Sequence, residues 1–363
     1  MFEPNPKEPF ALSLSKGRAA QILTQPQHSV QHQACGYMLR RAQHEQVSFN
    51  ATPGLERISK PVFKHIPMFD TTPTFALGRY SLNLTRPQVM GILNITPDSF
   101  ADGARISNSN QALEIAAQMV ADGVDILDVG GESTRPGAVP ISLQEELDRV
   151  MPVIEALKAL DKPISIDTSK AEVMRAATRA GAVLINDVYA LRGEGALSAA
   201  IESGAAVVLM HMQGEPRDMQ HAPQYLDVVE EVARFLTERI FAAQMAGLDK
   251  KRVIVDPGFG FGKTTAHNME LLGQLKRFSQ FECPVLVGLS RKGSIGELTQ
   301  QKQASDRVAG SLAAHIVAAQ RGAAIIRTHD VRATVDALRV LQAIPPARVD
   351  KASVSPDLMA MFG

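Results

Sequence analysis

The sequence predicts a (β/α)8 barrel of the TIM type behind a long N-terminal extension of low order, and three observations carry that prediction. From Phe75 onward, short apolar runs alternate with segments whose apolar residues recur at helical spacing, the pattern of parallel strands joined by right-handed helical crossovers. Eight such units fill residues 74–345, a length that suits a closed barrel better than an open doubly wound sheet. Nearly every run ends in a polar residue and then a loop rich in glycine or charge, as expected where barrel strands converge on the C-terminal mouth.

Taken in order, Phe75–Leu84 has alternating apolar positions around Arg79 and Tyr80 and is expected to form a hairpin that plugs the bottom of the barrel. The eight strands are expected at Val89–Asn94, Ile126–Val129, Pro163–Asp167, Val183–Val188, Ala206–Met210, Val253–Asp256, Val285–Leu289 and Ala324–Arg327. Helical spacing marks Ala112–Ala121, Leu143–Leu160, Ala171–Ala180, Tyr225–Ala246, Met269–Leu275 and Ala304–Arg321. Residues 1–73 differ in kind: they hold Pro4, Pro6, Pro9, Pro26, Pro53, Pro61, Pro67 and Pro73, a glutamine- and histidine-rich patch and no sustained period. They are read as a largely disordered extension without catalytic function, in which Gln33–Gln46 is the best candidate for a short helix, and 346–363 as a C-terminal tail.

Composition narrows the function. Of 363 residues, 45% are hydrophobic and 21% charged, and 38 basic side chains cancel 38 acidic ones. No field of one sign draws the whole molecule to nucleic acid or a membrane, so anion binding has to be local. The two cysteines, Cys35 and Cys283, form no CxxC pair, which argues against a zinc site or disulfide framework and fits a reducing compartment. With no uninterrupted apolar stretch of about 20 residues and no signal-peptide layout at the N-terminus, a cytoplasmic location is expected.

The strand ends carry the chemistry. Asp167, Asn186 and Asp256, each flanked by apolar residues, suit the donor edge of a flat heterocycle, because carboxylates accept from ring N–H and amino groups and an amide does both. Phe261 can stack on or cap a ring, and Met210 with Met212 either lines an apolar pocket or fills the core. Arg135, Arg327 and His329 bring positive charge to the mouth, where barrels commonly bind phosphate. Asn94 offers an oxygen to a phosphate-bridged Mg2+, an ion that takes few protein ligands. Asp128, still on its strand, is assigned a structural task, and Glu132 the fixing of its loop.

Two motifs fail on inspection. Gly258–Thr264 resembles a P-loop, but Pro257 stands where the first glycine is required, so Lys263 is read as a loop or helix-start charge. His211, His221 and His267 lack metal-site spacing, and His211 is expected to orient its neighbours.

The residues 90–103, MGILNITPDSFADG, and 128–137, DVGGESTRPG, resemble two signatures of the dihydropteroate synthase family, and the resemblance continues through the later strand ends in family order. It implies a barrel, usually a homodimer, that joins 6-hydroxymethyl-7,8-dihydropterin diphosphate to 4-aminobenzoate with loss of diphosphate. Carried across, it makes Asp167, Asn186, Asp256 and Lys292 pterin contacts with Met210 beneath the ring, and Asn94 the Mg2+ ligand. Thr134, Arg135, Arg327 and His329 would hold the diphosphate end or order its loops, and Thr134, Pro136, Phe261 and Lys292 would form the aminobenzoate pocket. Asp98, Asp102 and Arg135 are expected to close over the site, with dissociation of Mg-diphosphate running ahead of attack. The chain departs from the enterobacterial pattern at Gly293, where many members carry serine or a larger residue, which leaves Ser294 or the amides of 293–295 as partners for the aminobenzoate carboxylate. A methyl-transferring pterin domain serving a corrinoid partner would not need the diphosphate clamp at Ser133–Gly137 and Arg327–His329, and an inactive paralogue would have lost strand-end residues.

Overall fold

A computed structural model describes residues 73–95, 109–135, 137–215, 219 and 222–345. The extension up to residue 72, the candidate helix Gln33–Gln46 and the tail 346–363 lie outside them. A hairpin of β1 (Thr74–Leu77) and β2 (Tyr80–Asn83) precedes eight parallel strands: β3 (Gln88–Asn94), β4 (Ile126–Gly130), β5 (Ile164–Asp167), β6 (Leu184–Asp187), β7 (Ala206–Met210), β8 (Val253–Asp256), β9 (Leu286–Val287) and β10 (Ile325–Thr328). Their order, β8-β7-β6-β5-β4-β3-β10-β9, returns to its start through a parallel bridge between Val255 and Val285. The sheet therefore closes as the (β/α)8 barrel that the alternation predicts.

The closure is thinnest at β9, where only two of the five expected residues, Val285–Leu289, are strand. Pro284 stands at its entrance, and a proline has no N–H to give a ladder. Its carbonyl still accepts from Val255 N–H at 3.0 Å.

Helices wrap the outside: α1 (Ser109–Asp122), α2 (Leu143–Leu157), α3 (Ala171–Ala180), α4 (Ala196–Ser203), α5 (Val228–Met245), α6 (Thr265–Gly273), α7 (Gly293–Thr299), α8 (Val308–Gln320) and α9 (Val331–Ala343). Polar caps set several starts. Ser142 accepts from Glu145 N–H, Asp227 accepts from Val229 and Glu230 N–H, and Thr264 with His267 forms a reciprocal capping box. Helices α4, α7 and α9 fall outside the six segments expected from periodicity; α4 is a run of only eight, mostly small, residues. Among the described residues, no helix is long and apolar enough to cross a membrane.

The core has two floors. Between sheet and helices lies the large apolar layer, whereas inside the barrel's lower end Met90, Ile126, Leu184, Val208, Ile254, Leu286 and Ile325 pack under Phe75, Leu77 and Leu82 of the hairpin. The plug is as expected, and it shuts the barrel's lower end, the end opposite the loops. Leu77 is fully buried there. Leu77→Ala should lower unfolding free energy by about 2–5 kcal/mol, read as a fall in urea midpoint at unchanged slope; an unchanged midpoint would show that the plug adds no stability.

Candidate active site

Register across the sheet sets the level of the site. Asn94 pairs with Gly130, Gly130 with Asp167 and Asp167 with Asn186, so four neighbouring strands present residues in one register row; farther round, Met210 pairs with Asp256. Residues in register share a sheet face, here the interior. A cavity of about 1570 Å3 opens there, lined by Asn94, Thr134, Arg135, Asp167, Asn186, Met210, Asp256, Phe261, Lys292, Arg327 and His329. All the expected site residues within the described part thus meet in one space. Asp98, Asp102 and Pro136 lie outside the described residues.

Arg327 sits at the centre. Its Nε donates to Asp128 Oδ2 at 2.6 Å and its Nη2 to Asp167 Oδ2 at 2.7 Å, while Asn186 Nδ2 donates to the same Asp128 oxygen at 3.3 Å. These donors of Arg327 are committed to carboxylates, so its place is between β4 and β5 rather than out at the mouth. Asp128 does not line the cavity; it holds two residues that do, in keeping with its structural assignment. Burial works to lower the Arg327 pKa, and Asp128 and Asp167 outweigh it and keep the guanidinium charged.

The acceptor set is protonation-sensitive. Burial raises the Asp167 pKa to about 7 against the pull of Arg327, and raises Asp256 to about 6 although Gly258 N–H donates to its Oδ1 at 2.7 Å. Lys292 is drawn down to about 8, first by burial and then by Arg327, and its Nζ lies 4.2 Å from the centre of the Phe261 ring, within cation–π range. An apolar wall of Val188, Met210, Met219 and Phe261 faces these groups. Met210 therefore lines the pocket, settling one of the two readings of it, while Met219 had no signal in the sequence because it is isolated from any periodic segment.

Lys263 is not a loop charge. It is buried, and its Nζ lies 2.9 Å from His211 Nδ1 and donates to the carbonyls of Gly258 and Phe261 at 2.9 and 3.0 Å. Three donors of one ammonium thus meet three acceptors and tie the loop after β8 to the end of β7. Burial lowers the Lys263 pKa to about 7, with Asp256 pulling the other way; burial and then Lys263 drive His211 down to about 2, so this imidazole stays neutral and orients its neighbour, as expected. Gly258, at φ +73°, brings the same loop so close that a Cβ would lie 1.8 Å from His211 O. The glycines that mimic a P-loop serve this strut.

The loop after β4 is fixed from below. Glu132 Oε1 accepts from Ile141 N–H at 3.1 Å, and Lys170 Nζ binds both Glu132 and the buried Glu146 of α2 at 2.6 Å. Glu132 thus fixes its loop. A Cβ on Gly131 would lie 2.7 Å from Val150, so the loop starts flush against α2. Thr134 and exposed Arg135 follow at the rim. On the far rim, Arg291 donates from Nε and Nη2 to Asp330 at 3.0 and 2.6 Å, and His329 Nδ1 lies 3.0 Å from Ser290 Oγ. Residues Asp128, Ser290 and Lys263 were visible in the sequence, but their tasks depend on partners 39 to 199 positions away.

The sequence pattern of the pterin binding enzyme family matches residues 90–329. The dihydropteroate synthase of Escherichia coli (strain K12) is 50% identical over 278 residues, 76% of this chain and 98% of that one. The chain belongs to the dihydropteroate synthase family. Members of this family are transferases, and two solved structures agree in fold as well as sequence. A Xanthomonas albilineans dihydropteroate synthase with 4-aminobenzoic acid aligns with a TM-score of 0.71 at 56% identity, covering 76% of this chain and all of that one. The Xanthomonas albilineans enzyme in complex with 7,8-dihydropteroate gives 0.68 at 53% identity, over 75% and 100% of the two chains.

The Lys263 strut makes a direct prediction. Lys263→Met leaves two carbonyls and one imidazole nitrogen without their donor and should cost about 2–4 kcal/mol of stability, with a matching fall in thermal midpoint. A midpoint equal to that of the unaltered protein would return Lys263 to the role of an ordinary loop charge.

Proposed function

We propose that this chain condenses 6-hydroxymethyl-7,8-dihydropterin diphosphate with 4-aminobenzoate to give 7,8-dihydropteroate and diphosphate. The observation that carries the reading is the set of committed and uncommitted acceptors that face the cavity at the barrel's mouth. Arg327 takes one oxygen of Asp167, Gly258 N–H takes one of Asp256, and Asp128 takes an N–H of Asn186. Each residue keeps one oxygen, and three acceptors facing an apolar wall suit the N–H-rich edge of a flat aminopterin.

The rim supplies the other half. His329 and Arg135 face the region where a methylene-linked diphosphate would extend, and preorganised donors there favour charge that develops on a leaving group. The carbon–oxygen bond breaks with its electron pair on diphosphate, the electron-rich pterin shares the positive charge left at the methylene, and the aryl amine then adds and loses a proton. We assign the aminobenzoate to the space between Thr134, Phe261 and Lys292, with its carboxylate toward Lys292 and Ser294. Ser294 supports this because it lines the cavity and its Oγ is buried without a partner. Asp98, Asp102 and Arg135 are assigned the closure that excludes water.

For Mg2+, the described residues contain no group of three or more His, Cys, Asp or Glu able to hold a metal. The chemistry of the donor set therefore fits an ion carried largely by diphosphate oxygens and water, with Asn94 its protein ligand, and not a protein-built cage. Bound there, the ion would offset charge on the departing group. Assembly as a homodimer belongs to the same proposal. In its support, α8 carries no charged residue and leaves Leu312, Ile316 and Val317 only partly covered, as a helix that meets a second surface does.

Diphosphate release should depend on 4-aminobenzoate when the purified protein is given pterin diphosphate and Mg2+; no aminobenzoate-dependent product would refute the reading. Asp256→Asn exchanges an acceptor partly for a donor and should weaken pterin binding about ten- to hundredfold by calorimetry. With Asp167 at about 7, Asp256 at about 6 and Lys292 at about 8, pterin affinity should fall below about pH 7, as the two carboxylates take up protons in turn. Aminobenzoate affinity should fall above about pH 8, as the ammonium loses one. Arg135→Ala should lower turnover, and unchanged turnover would count against rim closure.

A further inference from the structure

Behind His329 runs a line of buried hydroxyls. Ser290 Oγ lies 3.0 Å from His329 Nδ1 and accepts the backbone N–H of His329 at 3.1 Å. Thr328 Oγ1, at the end of β10, donates to Ser290 Oγ at 3.4 Å, accepts the backbone N–H of Asp330 at 3.0 Å and lies 3.1 Å from Thr334 Oγ1 of α9. Thr334 Oγ1 is 3.4 Å from Nδ1 of His315 on α8, and His315 Nε2 is buried with no hydrogen-bond partner. Ser290, Thr328, Thr334 and His315 are all buried.

Thr328 donating to Ser290 already favours one direction for the chain, and its two ends test that direction independently. Two main-chain N–H groups already occupy one lone pair each on Ser290 and Thr328, so every hydroxyl has one proton to give along the line. If protons point from His329 toward His315, Thr334 donates to His315 Nδ1 and strands an Nε2–H, a buried donor with no acceptor, which is a rare fault. If they point from His315 toward His329, every donor in the line is used and only a lone pair is left over. The second direction makes His329 Nδ1 an acceptor, and the hydrogen bond at one imidazole nitrogen decides which nitrogen carries the proton.

We propose that Ser290, Thr328 and Thr334, anchored by His315, are positioning residues that hold His329 in the Nε2–H tautomer, so that the ring meets an anionic ligand as a hydrogen-bond donor. The tautomer stands on the geometry of the line alone; its use against diphosphate rests on the function proposed above.

The test uses full-length protein labelled with 15N-histidine, without ligand, at pH 8, and long-range 1H–15N correlation spectra in which His329 is assigned by its loss in His329→Gln. The expected result is an Nε2–H pattern for His329 that becomes a mixture of tautomers in Ser290→Ala and shifts toward a mixture in Thr334→Val. Inorganic diphosphate, titrated by calorimetry, should bind roughly tenfold more weakly to Ser290→Ala, and Ser290→Thr, which keeps the hydroxyl, should restore most of that loss. An Nδ1–H pattern in the unaltered protein, or a pattern that ignores both Ser290→Ala and Thr334→Val, would overturn the proposal. A locked tautomer in a protein without aminobenzoate-dependent turnover would uphold the relay and sink only the proposed reaction.

Discussion

One buried cation organises the upper barrel. Arg327 reaches from β10 to Asp128 on β4 and Asp167 on β5, so a single guanidinium cross-ties β10 to two strands with which it shares no backbone ladder. A buried charge survives only when paired, and here two carboxylates serve it while Asn186 shares one of their oxygens. The spacing of Asp167 and Asn186 in the cavity is thus set from behind. Removal of either partner would leave an uncompensated charge in a space that burial has already made unfavourable for ions.

The same economy recurs elsewhere around the mouth. Lys263 spends its donors on the loop that carries Phe261, Lys170 spends its own on two glutamates beneath the loop that carries Thr134, and Arg291 is tied to Asp330. These cations are braces, and the loops they brace carry Phe261, Thr134 and His329, which line the cavity. Fixed dipoles and charges of this kind stabilise a changing charge distribution without having to move when it changes.

Much of the fold was legible. Strands at Ala206–Met210 and Val253–Asp256 appear with the bounds their apolar runs indicate, and the plugging hairpin follows from period-two alternation. What escaped was what local pattern does not encode: α4 is short and alanine-rich, β9 is strand only at Leu286–Val287, and the division of labour between Arg327 as a brace and His329 as a rim group depends on which residues lie opposite. The site residues were found because a parallel barrel brings all strand ends to one rim, so that polar residues closing apolar runs are neighbours whatever their separation in the chain.

The sequence by itself determined the eight-unit barrel, the set of polar residues that meet at its mouth, and the family to which they belong, because hydrophobic period and strand-end chemistry are local properties. Only the tertiary structure decided which of those polar atoms are already spent. A hydrogen-bonding atom can be assigned to a ligand only after its partners within the protein are counted, and those partners, such as Asp128 for Arg327, His211 for Lys263 and Ser290 for His329, come from distant strands that the closing of the barrel brings together.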